Sequence, residues 1–325
     1  MTGMLESWAR RGMLKFGFCT QEQYRQAGER RRYSGARVAY SLLDVGENPT
    51  EEQIRVFEDI GFTLRTSNGT FRTTFPNRFQ DVDAAAMRWM ERFYAADSAI
   101  EIQDRAASHG LTSWEWAECI FRKFPRAGFE ASDILAELIE LSRGGEAYIL
   151  EPEGRPLQYV KPPFAAPLAH PESWRYPVNR WIAFRAGKRF AKLDLGQNWI
   201  ETAQARGWRI HRIPCVHPRA RELARRNPNF QFRLRSVFDQ TEACDVLRTM
   251  NIFNRSYFPA EDLARGAGAV FRSLRPGGIW IVGRTLEEDF SNHVSLLRRS
   301  ERGWELLERI GNGWEMEAAL AGAGA

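Results

Sequence analysis

A segment with helical spacing, Pro259 to Leu274, runs into Arg275-Pro276-Gly277-Gly278 and is followed at once by the apolar run Ile279-Trp280-Ile281-Val282-Gly283. Proline and glycine end the helix and force a helix-to-strand reversal. Similar alternation surrounds it. Asp245 to Asn251 reads as a strand, Pro218 to Arg226 as a helix, and Trp208 to Ile213 as a strand. Phe230-Gln231-Phe232-Arg233-Leu234-Arg235 alternates apolar and polar residues, as a half-buried strand should, and its extended run reaches Asp239. Helices alternating with strands predict a mostly parallel sheet covered by helices on both faces.

The same texture begins at Ala99. Ala99 to Asp104 reads as a strand and Arg105 to Leu111 as a small-residue loop. Thr112-Ser113-Trp114-Glu115 then reads as a capping box opening a helix that stops at Phe124-Pro125, and Gly128 to Asp133 is a second strand. A helix is expected over Ile134 to Ser142. Ala147 to Leu150 and Pro156 to Val160, separated by Glu151-Pro152-Glu153-Gly154, predict a hairpin. Prolines at 162, 163, 167, 171 and 177 mark an irregular segment read as a lid. His293 to Leu297 and Trp304 to Leu307 are expected to pair as an antiparallel hairpin at the sheet edge.

Residues 1–97 form a mostly helical cap or partner region. In it Thr50-Glu51-Glu52-Gln53 is a capped helix start, Val82 to Tyr94 has helical spacing, and short strands are expected near Gly61 to Arg65 and Gly69 to Thr74. The expected organisation is therefore a helical N-terminal region followed by an α/β domain over 98–325 with an insertion at about 145–197. The α/β domain is a doubly wound, mostly parallel seven-stranded sheet with a C-terminal antiparallel hairpin.

With 325 residues, 43% of them hydrophobic, the chain can bury a substantial core. Its net charge of +5 is spread out, and runs such as Arg30-Arg31-Arg32 are short. Arg219, Arg221, Arg225 and Arg226 fall on one helix, yet helical periodicity gathers only some of them, so a nucleic-acid partner is disfavoured. Cys19, Cys119, Cys215 and Cys244 form no CxxC pair, which argues against a zinc ribbon or a stapled secreted module and fits a reducing cytoplasm. No metal site and no membrane segment is expected.

Asp104-Arg105-Ala106-Ala107-Ser108-His109-Gly110, at the end of the first strand, resembles the DxGxGxG loop of class I, Rossmann-like S-adenosylmethionine-dependent methyltransferases, with Ala106 and Ser108 at the first two glycine positions. Such a loop needs small residues because its backbone must come close to a cofactor in the crevice of an open sheet. Asp133, 29 residues after Asp104, stands where that superfamily keeps an acid for the ribose hydroxyls; alternatively it caps a helix beginning at Ile134. Val237-Phe238-Asp239 resembles the motif that packs on and bonds to adenine. Asp245 to Asn251 resembles the strand that ends beside the transferable methyl group, with Asn251 facing the site. Leu274 to Ile281 is close to the LkPGGxhxh turn. Phe71-Arg72-Thr73-Thr74-Phe75 and Asn251 with Tyr257-Phe258 also resemble the chemotaxis-receptor glutamate methyltransferases, although the arginine and asparagine adjoining there are separated here as Arg248 and Asn251.

The resemblance covers about Ala99 to Leu320 and implies S-adenosylmethionine as cofactor, held by Asp104, Ala106, Ser108, Gly110, Asp133, Phe238, Asp239 and Asn251. It implies methyl transfer to an acceptor, with a small molecule favoured over a protein. His109 and His293 are the candidate general bases, and Tyr148, Tyr159 and Trp174 are candidates to line the acceptor pocket. Two other readings stand beside this one. The substituted glycine loop suits a catalytically degenerate binding or regulatory protein, and the sheet architecture suits a dinucleotide-dependent oxidoreductase, against which the absence of GxGxxG counts.

Overall fold

The computed structural model describes residues 2–26, 37–170 and 176–320. In chain order its elements are α1 (Thr2–Arg10), β1 (Gly17–Phe18), α2 (Gln21–Gln26), β2 (Arg37–Val38), a 3₁₀ turn (Tyr40–Leu43), α3 (Glu51–Thr63), α4 (Gln80–Phe93), β3 (Glu101–Arg105), α5 (Leu111–Lys123), β4 (Gly128–Asp133), β5 (Glu137–Arg143), β6 (Glu146–Leu150), β7 (Pro156–Lys161) and β8 (Phe164–Pro167). They continue with α6 (Pro177–Ala191), α7 (Trp199–Ala205), β9 (Arg209–Pro214), α8 (Pro218–Arg226), β10 (Phe230–Leu234), β11 (Cys244–Met250), α9 (Ala260–Ser273), β12 (Leu274–Thr285), β13 (Asn292–Ser300), β14 (Gly303–Ile310) and α10 (Glu317–Leu320). Two compact units share the chain. One joins Thr74–Ala136 to Arg219–Ala325, and the other joins Met1–Thr73 to Glu137–Pro218.

The first unit is a mixed α/β structure around a seven-stranded sheet of order β10-β4-β3-β11-β12-β13-β14. Its first five strands are parallel, β13 runs antiparallel to β12, and β14 antiparallel to β13. Helix α9 ends at Ser273 as expected, but β12 follows at once from Leu274, so Arg275-Pro276-Gly277-Gly278 lies within the strand, where the pairing with β11 shifts register between Cys244 and Val246, and is not a separate turn ahead of Ile279. Trp280 of β12 is fully buried and packs with Leu247, Phe253, Val270 and Trp314. Gly283 is required where β12 meets β13, because a Cβ there would overlap the carbonyl oxygen of His293.

The second unit holds a five-stranded antiparallel sheet of order β8-β7-β6-β5-β9. Ile139, Tyr148, Tyr159, Ala186, Trp199 and Trp208 form its core. The capping box foreseen at Thr50 is present: Gln53 N donates to Thr50 Oγ1 at 3.3 Å, and Thr50 N donates to Gln53 Oε1 at 2.9 Å.

Several expectations are overturned here. Ile134 to Ser142 is not a helix; Glu137–Arg143 is strand β5, paired on one edge with β6 and on the other with β9. Glu, Leu and Ala favour helix locally, but two ladders and the complete burial of Leu138, Ile139 and Leu141 outweigh that preference. Trp208 to Ile213 forms a strand, yet it belongs to this antiparallel sheet rather than to the parallel one. The segment inserted between β4 and α8 is therefore Glu137–Pro218, wider than 145–197, and it forms one unit with residues 1–73 instead of leaving 1–97 as a separate helical region. The strands expected at Gly61 to Arg65 and Gly69 to Thr74 reduce to a single bridge between Arg65 and Phe71, because α3 continues to Thr63. Within the proline-rich stretch, Phe164–Pro167 is a regular strand paired with β7. Pro171, Trp174 and Arg30-Arg31-Arg32 lie outside the described residues. No helix among the described residues is long and apolar enough to cross a membrane.

Candidate functional site

In the seven-stranded sheet the chain leaves β3 toward β4 on one side, while β11 lies on the other. The carboxyl ends of β3 and β11 therefore flank the point where strand order reverses, which is where open α/β sheets bind ligands.

The loop after β3 has an unusual backbone. Ala106, Ser108 and Gly110 all have positive φ, at 57°, 56° and 80°. These are the three positions of the glycines in the motif that the loop resembles. For alanine and serine the left-handed conformation costs about 1–2 kcal/mol per residue, so neighbouring structure must hold it. Asp133, 8% exposed at the end of β4, is the main clamp. Its Oδ2 accepts from Ser108 N at 2.7 Å and its Oδ1 from Leu135 N at 3.1 Å, while Ala107 N donates to Ser132 O at 2.9 Å. Asp133 thus caps the loop and not a helix. Gly110 opens α5 as its N-cap, and a Cβ there would lie 3.0 Å from the ring of Phe232. The Thr112 capping box is absent. The helix already starts at Leu111, Ser113 turns its Oγ to Asp104 Oδ2 at 2.6 Å, and Glu115 Oε1 accepts from Asn77 N.

Under this loop lies a buried charge cluster. Arg248, fully buried in β11 beside Asp104 of β3, donates from Nε to Asp104 Oδ1 at 2.9 Å and from Nη2 to Asp104 Oδ2 at 2.5 Å. Its Nη1 reaches Asp83 Oδ1 of α4 at 2.5 Å, and Trp116 covers the guanidinium at 4.3 Å. Asp104 is therefore a brace beneath the loop; its carboxylate is committed to Arg248 and Ser113. Burial pushes the Asp83 carboxyl up to about 7, against the opposing pull of Arg248. Motif matching missed Asp83 and the role of Arg248. A readable signal existed, since an arginine inside Val246-Leu247-Arg248-Thr249-Met250 demands a buried countercharge.

Arg105 was also missed. Its guanidinium, 2% exposed, donates to Gln103 Oε1, Thr241 Oγ1 at 2.7 Å and Asp239 O at 3.0 Å, and so latches the loop that carries Phe238 and Asp239 onto β3. Phe238 packs edge-on against Phe258 at 5.0 Å and near Phe253. Asp239 is exposed and its Oδ2 accepts from Ser236 N at 2.9 Å. Asn251, with φ 62°, accepts from Thr285 N at 2.6 Å through its Oδ1, tying the end of β11 to the end of β12. A polar cluster extends from there: Arg78 Nε donates to Thr285 Oγ1, which donates to Asn292 Oδ1.

The structure brings Ser108 and Asp133 into direct contact, places Asp104 beneath them, and links Asp239 to β3 through Arg105. It does not support the other candidates in their expected roles. His293 has both ring nitrogens engaged, Nδ1 by Asn312 N and Nε2 by Ser291 Oγ. His109 is 2% exposed. Tyr148 and Tyr159 are core residues of the other unit, their rings 5.2 Å apart, and burial pushes the Tyr148 hydroxyl up to about 12. Both rings are buried in that core rather than exposed.

No protein-family model matches this chain, and no curated protein matches it. Among solved structures it is similar to an O-methyltransferase family protein from Burkholderia thailandensis, at 12% identity and TM-score 0.30, over 73% of this chain and 43% of that one. It is similar to the CMeT domain of the citrinin polyketide synthase, at 10% identity and TM-score 0.35, over 74% of this chain and 41% of that one. A third is the 1,6-didemethyltoxoflavin-N1-methyltransferase of Burkholderia thailandensis, solved with S-adenosylhomocysteine, at 9% identity and TM-score 0.29, over 69% and 61%. The chain spans less than two thirds of each of these structures.

Replacing Arg248 with methionine leaves Asp104 and Asp83 without their cation, and urea denaturation should show a loss of about 3–5 kcal/mol. The pH dependence has a definite sign. The folded Asp83 binds its proton more tightly than the unfolded chain does, so the stability it contributes is lost as pH rises from 3.8 to about 7. Denaturation midpoints across that window should decline less in Asp83→Asn than in the wild type. Ala106→Gly should cost none of the roughly 1 kcal/mol that alanine-to-glycine changes cost elsewhere, whereas Gly110→Ala should destabilise; equal losses in thermal melts would contradict the left-handed assignment.

Proposed function

We propose that the unit built on the seven-stranded sheet is an S-adenosylmethionine-dependent methyltransferase of the class I type, acting on a small-molecule acceptor. One observation carries the reading. The loop after β3 keeps a glycine-like backbone at Ala106, Ser108 and Gly110, although two of those residues adopt it at a steric cost, and the loop lies at the sheet's switch point. Local strain that surrounding structure over-determines is a mark of functional sites.

The donor and acceptor set fits such a cofactor in part. Asp133 accepts from Ser108 N and Leu135 N at the end of β4, and a carboxylate there is of the chemical type that accepts from a ribose diol. Ala106 and Ser108 have side chains small enough to leave the loop's backbone approachable. Phe238 and Asp239, held through Arg105, form the adenine side, with Asp239 Oδ1 outside the bond to Ser236. Asn251 closes the site at the end of β11. Asp104 serves beneath the loop and does not touch the cofactor. S-adenosylmethionine, when bound, supplies an electrophilic sulfonium methyl. The chain's own work is to hold acceptor and cofactor in line, to keep water out and, for a protonated acceptor, to pass its proton on. Neither His109 nor His293 is set up for that last task.

The runner-up is a methyltransferase-like binding protein without turnover, favoured by the fact that both Asp133 oxygens already serve the backbone. Titration calorimetry with S-adenosylhomocysteine, followed by transfer assays with methyl-labelled cofactor, separates the two. The enzyme reading expects micromolar binding that Asp133→Ala weakens about tenfold or more, with a wild-type far-UV circular dichroism spectrum at the titration temperature as the folding control, since loss of the bonds to Ser108 N and Leu135 N itself lowers the melting temperature. Binding without transfer to any acceptor leaves the runner-up, and no heat at millimolar cofactor removes both.

A further inference from the structure

Helix α6 carries large apolar side chains on its outward face as well as on the face it packs against its unit. Inward, Asn179, Ala183 and Ala186 are buried and Ile182 and Phe190 pack on the core of the unit, while outward Trp181 and Phe184 stand 62% and 58% exposed. Arg185 and Lys188 are exposed beside them, and positions 181, 184, 185 and 188 share one face at helical spacing. Scattered apolar side chains on a surface need no explanation, but two large rings side by side among cations do.

The charge is as one-sided as the aromatics. From Pro177 to Leu193 the chain has Arg180, Arg185, Lys188, Arg189 and Lys192 and no acidic residue. Arg189 lies 3.8 Å from Glu146. Arg185, Lys188 and Lys192 have no acidic partner among the described residues. The Arg185 guanidinium instead sits 5.7 Å from the centre of the Trp181 ring, and Lys188 Nζ sits 4.4 Å from that of Phe184. Each cation is thus held at the level of its ring, so rings and charges form one ridge.

The geometry points to docking of this ridge on an anionic phospholipid surface. Trp181 and Phe184 enter the headgroup zone, and Arg185, Lys188 and Lys192 lie among the phosphates. Aromatic rings are at home at that depth, and long basic side chains extend from it to lipid charge. A helix of this length is about 22 Å long, too short to span a bilayer, so it lies in the surface plane. Single-stranded nucleic acid, which also likes arginine with aromatics, needs a groove and ring faces open to bases. Here each ring has a cation over one face and projects from a convex helix.

The test uses the full chain in vesicle flotation, with phosphatidylcholine alone or containing about 30% phosphatidylserine. Binding is expected only to the anionic vesicles, and it should fall with added salt. At about 1 kcal/mol for each basic residue near the surface, Arg185→Gln with Lys188→Gln should weaken it about thirtyfold. Trp181→Ser with Phe184→Ser should weaken it about tenfold or more. All four positions are exposed, so circular dichroism should show wild-type folding. The assignment is overturned if anionic vesicles are not bound, or if either folded double variant binds like wild type. It is equally overturned if the variants lose binding to a single-stranded oligonucleotide while vesicles are ignored.

Discussion

Arg248 is the residue on which the organisation of the seven-stranded unit turns. It lies fully buried between Asp104 of β3 and Asp83 of α4, and it reaches Thr112 O in the first turn of α5. One guanidinium therefore joins two neighbouring strands and two helices beneath the carboxyl ends of the sheet. Such a cluster adds little net stability compared with apolar packing, because three charges must be desolvated, but each member is costly to remove alone. It ties β3, β11 and α4 to one another through named bonds between charged groups.

The loop above inherits that rigidity. Its left-handed residues persist because Asp133 holds Ser108 N and Leu135 N while Ala107 N bonds to Ser132 O. Asp104 also takes the hydroxyl of Ser113, which anchors the first turn of α5 directly behind Gly110. The loop thus rests on a chain of committed polar groups. Arg105 does for the Phe238-Asp239 loop what Arg248 does for the floor, holding carbonyl oxygens instead of carboxylates.

Legibility in the sequence followed how local each determinant was. The strands that end at Arg105, Asp133 and Met250, the helix stop before Arg275 and the Thr50 cap were readable to within a residue or two, because apolar runs, helix-breaking residues and capping pairs act over a few residues. Glu137–Arg143 was read as a helix because its residues favour one locally, and β9 was assigned to the wrong sheet because a strand's pattern does not name its partner. At the site, the order of the motifs placed Asp104 and Asp133 at strand ends, but the strand expected to reach Asp239 stops at Leu234 and leaves Asp239 in the loop that follows. Motif order could not tell that Asp104 would turn to Arg248, or that Asp133 would serve the loop's own backbone.

By itself the sequence determined much of the local pattern: most of the strands and helices of the parallel sheet, the helix stop before Arg275, and that small residues follow the first strand of that sheet. Those properties come from short-range sterics and hydrogen bonding, which each segment carries wherever it is placed. Tertiary structure alone decided that 137–218 and 1–73 form one unit, that Arg248 faces two aspartates, and that Ala106 and Ser108 are held left-handed. Each depends on groups distant in sequence meeting in a buried place, where an unpaired charge or amide is too costly to leave and so selects its partner.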